Sequence, residues 1–542
     1  MAPPADPSGR PLDVLVVGAG PIGLVLALSL LRAGVRPRIV DARAGITEES
    51  RALDVQARTL ELYDQLGIAD LLVTRGTRIE RLAVRVAGRQ VSSVELRDVG
   101  RGLGPYPFLL CCPQDVHERL LVDELAAAGV EVEWQTTLTS ARDAGDRVAV
   151  TLVGHDGSPQ RVEAAYLCGC DGAHSTVRQE LAVPFRGDSS VQAYFVADVT
   201  ATGPTAPGDP SSSGLFSFCL DQDDFVLVVP ARRGRTVRVL GRVPDPAAAR
   251  TTLGFEDLRA MVERTTATRV DDLGWFSTYQ VSHRLADHLR SGRGFLLGDA
   301  GHLHSPLGGQ GMNTGIADAV NLAWKLAAVL QGRAAPSLLD TYETERLGFA
   351  RSLVATTDRL FRLIDGSGRR HRLARSVLFR VLLPTLLGLR ATRGVAVGSI
   401  SQIRVHYRSS RLSSGRAGRV RGGDRLPWVE GPRLPDGNQV DHNHRLLRGR
   451  DWQLHVYGTA SAELQECAEQ RGLPLHELGW STSARTAGLR RDASYLVRPD
   501  GYVALADGRQ RVVPLERLLD AFALAASAEA PVAQDVSGAD DR

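Results

Sequence analysis

"LDVLVVGAGPIGLVLALSLLRAGVRPRIVDAR", residues 12–43, decides the fold. Its first six residues are almost continuously apolar and read as a strand buried on both faces. GAGPIG follows at 18–23, and an apolar helical pattern runs from Leu24 to Ala33. A second apolar run, RPRIVDAR, carries Asp41 near its end. Strand, helix and strand make a βαβ unit. Its turn has the GxGxxG spacing of a dinucleotide site. Gly18 permits the tight turn, Gly20 lets backbone approach a pyrophosphate, and Gly23 allows close helix–strand packing. The helix N-terminus then faces the phosphates. Asp41, 18 residues beyond Gly23, is placed to bond a ribose hydroxyl. Pro21 and Ile22 in the turn, and Ala42 and Arg43 beside the acid, belong to the same expected binding set. The competing reading is a glycine-rich turn packed for its own sake. The motif alone does not choose between FAD and NAD.

The bulk properties narrow the class. The 542 residues suffice for two or three domains. A hydrophobic content of 43% and a charged content of 23% suit a soluble globular protein. The formal charge of +3 gives no basic footprint for nucleic acid or a membrane surface. No apolar stretch reaches the ~20 residues of a membrane span. The nearest, residues 377–389, is broken by Arg380 and Pro384. The N-terminal MAPPADPSGRP lacks the charged start and apolar core of a signal peptide. Cysteines at 111, 112, 168, 170, 219 and 467 form no CxxC pair and no zinc ladder. They read as buried thiols in a reducing compartment, the cytoplasm.

Texture changes mark the organisation. Residues 113–129 read as a helix, and 130–170 alternate as strands leading into CDGAHSTVR. GLFSFCL, DFVLVVP and RTVRVLGRV, between about 190 and 243, read as an antiparallel meander inserted into the first domain. Helices follow from roughly 316 to 390. After a Gly/Arg/Ser-rich patch at 408–424 come a strand (452–458), a helix (461–471), strands near 493–505 and a last helix (514–526).

Two further motifs bear on the cofactor. CDGAHSTVR, 170–178, closes a strand with Asp171 and Gly172 and carries Ser175 and Arg178. GFLLGDAGHLHSPLGGQGMN, 294–313, runs an apolar strand into Gly298 and Asp299, then two histidines, then a loop almost without side chains. Such a loop makes room for a metal, a phosphate or a flat ring. His302 and His304 are two apart with no thiol or spaced acid to complete a metal site, so no metal is expected. Taken together, the three motifs resemble the single-component FAD-dependent aromatic hydroxylases, the group A flavoprotein monooxygenases, over about residues 12–360.

The resemblance implies an α/β protein with a Rossmann-like FAD-binding domain, an inserted antiparallel-sheet substrate domain and a C-terminal thioredoxin-like domain without CxxC. The FAD domain takes residues 1–76, 105–182 and 285–420, the last with a helical connection. The substrate domain takes 77–104 and 183–284, the thioredoxin-like domain 421–530, and 531–542 are a disordered tail. Asp299 corresponds to the family residue that bonds the FAD ribityl chain. Asp171 and Arg178 serve FAD and the transient docking of NADPH or NADH. The Pro306–Gly311 loop, with Gly309 and Gln310, lies against the isoalloxazine, Met312 and Asn313 at the start of the following helix belong to the FAD-binding set, and Arg51 and Gln114 match further FAD-touching positions.

The implied reaction is hydroxylation of a polycyclic aromatic polyketide through a flavin C4a-hydroperoxide, with molecular oxygen as co-substrate. The flavin carries the chemistry, so no protein catalytic residue is singled out. Phe216, Phe218 and Phe225 read either as an aromatic substrate wall or as domain core, and Trp275 and Tyr279 admit the same two readings. The other activities weighed are a Baeyer–Villiger or ring-cleaving oxygenase, an antibiotic-inactivating monooxygenase and a flavin-bound drug-sequestering protein. A monomer or homodimer is expected, with a small aromatic substrate as the only partner.

Overall fold

The structure is a computed structural model. It describes residues 12–47, 52–206, 214–221, 224–231, 236–244, 253–304, 309–365, 390–435, 438–449 and 451–525, and 373–389 in part. Arg51, Pro306, the first eleven residues and the 531–542 tail lie outside the described residues.

The chain divides into two compact units. One comprises residues 1–63, 68–323 and 342–404. The other comprises 64–67, 324–341 and 405–542. In the first unit the Leu12–Val17 strand lies between Pro37–Val40 and Pro159–Gly169, parallel to both. Gly294–Leu296 extends the parallel row on one side and Val132–Glu133 on the other. The helix Pro21–Arg32 is buried along most of its length, as its all-round apolar pattern requires. The sequence placed its start at Leu24; Pro21 at the first helical position begins it one turn earlier.

A second sheet of eight strands carries the meander. Leu215–Asp221, Asp224–Pro230 and Thr236–Arg242 pair antiparallel, as the three β-type runs lead one to expect. The sheet extends well beyond them. Phe185–Thr202 and Arg269–Ala286, each 18 residues long, pair along one side. The Arg81–Val86 and Arg89–Glu95 hairpin adds to the other side through a parallel contact with Leu215–Asp221. The helix Glu256–Thr266 covers one face, where Phe195, Val226, Val239, Leu258 and Met261 form a core.

The second unit holds a six-stranded mixed sheet, with Gln453–Tyr457 and Ser494–Val497 antiparallel near its centre. Leu475–Leu478 forms its far edge, a strand that the polar sequence LHEL did not announce. Trp452, Leu454, Leu505 and Phe522 pack with Trp324 and Leu338 in its core. Cys467 is buried there with a free thiol. No helix among the described residues is long and apolar enough to cross a membrane.

Candidate functional site: a cofactor cleft opening onto an aromatic chamber

A cavity of about 1170 Å³ lies within the first unit. Its polar rim is built where parallel strands end. Gly18 follows Val17, Asp41 follows Val40, Asp171 follows Gly169, and Asp299 follows the strand ending at Leu296, and all four line the cavity. Ligands of open α/β sheets bind outside these carboxyl ends.

The three glycines of the turn do different work. Gly18 has φ +102°, and a Cβ there would stand 2.4 Å from the Cys170 carbonyl oxygen. A Cβ on Gly23 would stand 1.8 Å from the Gly18 oxygen, so that residue is glycine for packing and does not line the cavity. A Cβ on Gly20 would meet nothing within 4 Å. Gly20 and Pro21 line the cavity, and the helix they open has no side-chain cap, which leaves its first N–H groups for a ligand. Ile22 lines the cavity as well and fits under two bare positions: a Cβ on Gly315 would stand 2.4 Å from it and one on Gly298 3.1 Å.

Asp41 is buried and shapes the loop as well as facing the cavity. It accepts the Ala19 N–H at 2.6 Å and the Arg43 N–H at 2.8 Å. The Arg43 guanidinium joins Asp41 to Glu118, 3.1 and 3.5 Å away. Gln114 accepts the Ala52 N–H and donates to Glu118 at 2.8 Å. Burial pushes the Glu118 carboxyl up, against the pull of Gln114 and Arg43. Glu118 lines the cavity and was missed in the sequence, although it follows Gln114 by one helical turn.

The CDGAHSTVR segment folds on itself. Asp171 accepts from the Ser175 hydroxyl at 2.5 Å and the Val177 N–H at 3.0 Å. Ser175 caps the short helix by accepting the Arg178 N–H. Burial raises the Asp171 pKa. Arg178 is placed differently from the expectation. Its guanidinium donates to the Ala173 and Ala300 carbonyls, each at 3.0 Å, and lies 4.0 Å over the Phe185 ring. It is not among the residues lining the cavity. The reason is local: two carbonyls and a ring face hold it from three sides.

The bare loop has two answers. Gly311 is open, with nothing nearer its Cβ position than His304 at 3.8 Å. Gly309 is not: its φ is +60°, and a Cβ would stand 2.4 Å from the Asp54 carboxylate. The space at Gly309 belongs to Asp54. Gln310, Gly311 and Met312 line the cavity with it. Asn313 is buried and clamps this loop to the 54–59 segment. It accepts from Gln56 N–H and Thr59 hydroxyl at 2.9 and 2.6 Å, and donates to the Asp54 and Gly309 carbonyls. His302 Nε2 donates to Asp318, 2.8 Å away, which also takes the Gly298 N–H at 3.0 Å and Arg346 at 2.5 Å. His302 thus stiffens the turn that presents Asp299. His304 lines the cavity.

The far wall comes from the second sheet. Tyr194, Phe216, Phe225, Leu227, Val229 and Leu240 line it, with Arg238. Phe218 does not. It stacks on Phe225 at 6.0 Å within a core of Val84, Tyr194 and Val281. Tyr279 packs on Tyr194, and Trp275 lies under Arg238.

A phosphate-ready glycine turn, acids after three strand ends and a large aromatic chamber beside them suit an enzyme that holds a dinucleotide against a flat organic substrate. The residues present are compatible with FAD: bare backbone at Gly20, carboxylates at Asp41 and Asp299 on the cavity wall, and an open helix start at Gly311. Residues 11–357 match the FAD-binding-domain family, and the chain belongs to it. It is a flavin-dependent monooxygenase, and FAD is its cofactor.

The chain is 34% identical to a 6-methylpretetramide 4-monooxygenase of Streptomyces rimosus, over 99% of this chain and 98% of that protein. It superposes on aklavinone-11 hydroxylase solved with FAD and aklavinone, with a TM-score of 0.77 and 26% identity, over 94% of this chain and 98% of that one. It is also 35% identical to a dialkyldecalin synthase of Streptomyces rugosporus, over 72% of this chain and 80% of that protein. The scaffold therefore carries more than one named reaction.

Proposed function

We propose that the enzyme hydroxylates a polycyclic aromatic polyketide in the biosynthesis of an antibiotic-type metabolite, with NADPH or NADH as electron donor. The substrate, the reductant and one molecule of O2 yield the hydroxylated ring, oxidised nicotinamide and water. Bound FAD supplies electron transfer and oxygen activation. The chain's own residues bind, orient and dry the reactants. Gly18, Gly20 and the helix after them would hold the pyrophosphate, Asp41 a ribose hydroxyl, and Asp299 the ribityl chain. Asp171 borders the same cleft. The open first turn of the helix Gln310–Leu330, at Gly311, would lie against the ring system. The apolar wall of Phe216, Phe225, Leu227 and Val229 would exclude water and stack a flat substrate.

The observation that carries this reading is the continuity of one cavity from the strand ends to the aromatic wall. At about 1170 Å³ it exceeds the ~300–1,000 Å³ of a single-ligand pocket and has room for a second molecule. Six free cysteines fit a reducing cytoplasm, with the enzyme a monomer or homodimer. The test is NADPH and NADH oxidation by the purified yellow protein, with and without a panel of polycyclic phenols, alongside product mass. Stimulated oxidation with a gain of one oxygen is the expected result. An opened ring would replace it with a Baeyer–Villiger reaction. An isomer of unchanged mass would indicate a cyclase-type role, as the synthase among the relatives suggests. Tight binding with neither stimulation nor mass change would mean sequestration.

A further inference from the structure

The helix Arg390–Ile400 ends at the cavity. Val397 is buried in the apolar cluster that holds Leu53, Phe216 and Val229, three residues of the cavity wall. Ile400, about one turn further on, lines the cavity itself and is 40% exposed. The chain then turns inward. Ser401 and Gln402 are both buried, Gln402 to 3% exposed.

Gln402 has φ +58°. A left-handed residue just past a helix end is ordinarily glycine, because a Cβ strains the backbone there. Glutamine at such a position implies a role for its side chain. That side chain reaches the start of the helix Gln310–Leu330, 88 positions earlier. Its Nε2 donates to Thr314 Oγ1 at 2.9 Å and lies 3.5 Å from the Gln310 carbonyl oxygen. Thr314 is fully buried. The Ser401 carbonyl accepts the Arg58 N–H at 3.3 Å, so the turn is tied as well to the 54–59 segment that Asn313 clamps. One short turn thus joins the apolar wall to the helix start that carries Gly311 and Met312 on the cavity.

We propose that the Ile400–Gln402 turn registers the substrate against the flavin. Ile400 is a substrate contact on the chamber side. Gln402 is a positioning residue that fixes the first turn of the helix against which the ring system would lie. This rests on the aromatic-hydroxylase reading and adds the residues that link its two halves. Transfer between two bound partners depends on their mutual placement, and a misplacement of about 1 Å can cost roughly a hundredfold in rate. Two contacts two residues apart on one hydrogen-bonded turn shift together, so the distance between wall and ring is held by the backbone of that turn.

The experiment uses the full chain with and without FAD, and 9-phenanthrol, a three-ring phenol without visible absorbance, as the substrate probe. Gln402→Gly removes the amide and suits the left-handed backbone. Gln402→Asn tolerates that backbone but is one methylene too short to reach Thr314. The Gln402→Gly apoprotein is expected to melt close to the wild type, since relieved strain offsets the lost hydrogen bond. Its FAD dissociation constant should rise about three- to tenfold, and its visible flavin circular dichroism should change at saturating FAD. Gln402→Asn should do the same. Ile400→Ala should keep the FAD dissociation constant and weaken 9-phenanthrol, titrated by the flavin difference spectrum, by about three- to tenfold. Unchanged FAD affinity and circular dichroism in both Gln402 variants would overturn the positioning role; a lowered melting temperature alone would make Gln402 only a helix cap. Unchanged 9-phenanthrol affinity in Ile400→Ala would overturn the substrate contact and leave the hydroxylase reading standing. If no polycyclic phenol alters the wild-type flavin spectrum or NADPH oxidation, the hydroxylase reading and the Ile400 contact both fall, and FAD affinity alone decides on Gln402.

Discussion

Replacing Asp318 with asparagine should loosen the cofactor turn and the protein together. Asp318 is 1% exposed and serves three donors: Gly298 N–H at 3.0 Å, His302 Nε2 at 2.8 Å and Arg346 Nε at 2.5 Å. Arg346 is equally buried and also donates to the Thr314 carbonyl at 3.0 Å. Asparagine keeps one acceptor oxygen and loses the charge, so the buried guanidinium loses its Asp318 counter-charge. Breaking such a pair costs about 3–5 kcal/mol. Against a total stability of roughly 5–15 kcal/mol, that is a large share. Burial pushes the Asp318 carboxyl up, but Arg346 and His302 outweigh it and hold it below its ordinary value. The stability it contributes is therefore full above the unfolded carboxylate pKa of about 4 and is lost as pH falls through the folded value. Urea unfolding followed by tryptophan fluorescence, with flavin fluorescence reporting FAD release, measures both effects between pH 3 and 8. The variant should unfold at lower urea at neutral pH, release FAD first, and show a flatter acid limb. A loss under about 1 kcal/mol with unchanged FAD affinity would refute the reasoning, because it would mean the network is not the support of the Gly298–Asp299 turn.

Three further outcomes are expected. Asp299→Ala should cost most of the FAD occupancy with little change in folding of the apoprotein, read from the flavin absorbance of purified protein; full yellow occupancy would remove Asp299 from the site. Arg178→Ala should destabilise by about 1–3 kcal/mol by orphaning the Ala173 and Ala300 carbonyls, and an intact melting profile with slowed NADPH reduction would restore it to a docking role. His117, fully buried against the Tyr63 hydroxyl at 2.7 Å, has its pKa lowered by burial to about 4. Its stabilisation is full above the unfolded value near 6.5 and fades toward 4, so a His117→Gln variant should show less loss of thermal stability between pH 7 and 5 than the wild type.

Much of the cofactor site could be read without coordinates, because its geometry is local. A turn that needs φ +102° at Gly18 and no Cβ at Gly23 writes itself into adjacent residues, as does an acid at the end of the next strand. What escaped was set by distant partners. Asn313 clamps Gln56 across 257 positions, and Arg238 meets Asp198 across 40. The two 18-residue strands carry enough charged and glycine residues to hide their alternation, yet pairing with each other completes the sheet.

Arg178 and Gly309 show where local reading misleads. Arg178 stands beside Asp171 in the chain and so shares its expected role, but Ala300, 122 residues away, takes its guanidinium. Gly309 sits in a bare loop that suggests room for a ring, but the room is occupied by Asp54 from a strand 255 residues earlier. The sequence by itself determined the βαβ unit and its dinucleotide-type turn, since backbone torsion and short spacing are encoded residue by residue, while the choice of FAD came from the resemblance of three motifs together. Only the tertiary structure decided which polar side chains reach the cavity and which are consumed holding it open. That choice depends on which strands lie side by side, and hydrogen-bond reach of about 3 Å makes it unforgiving.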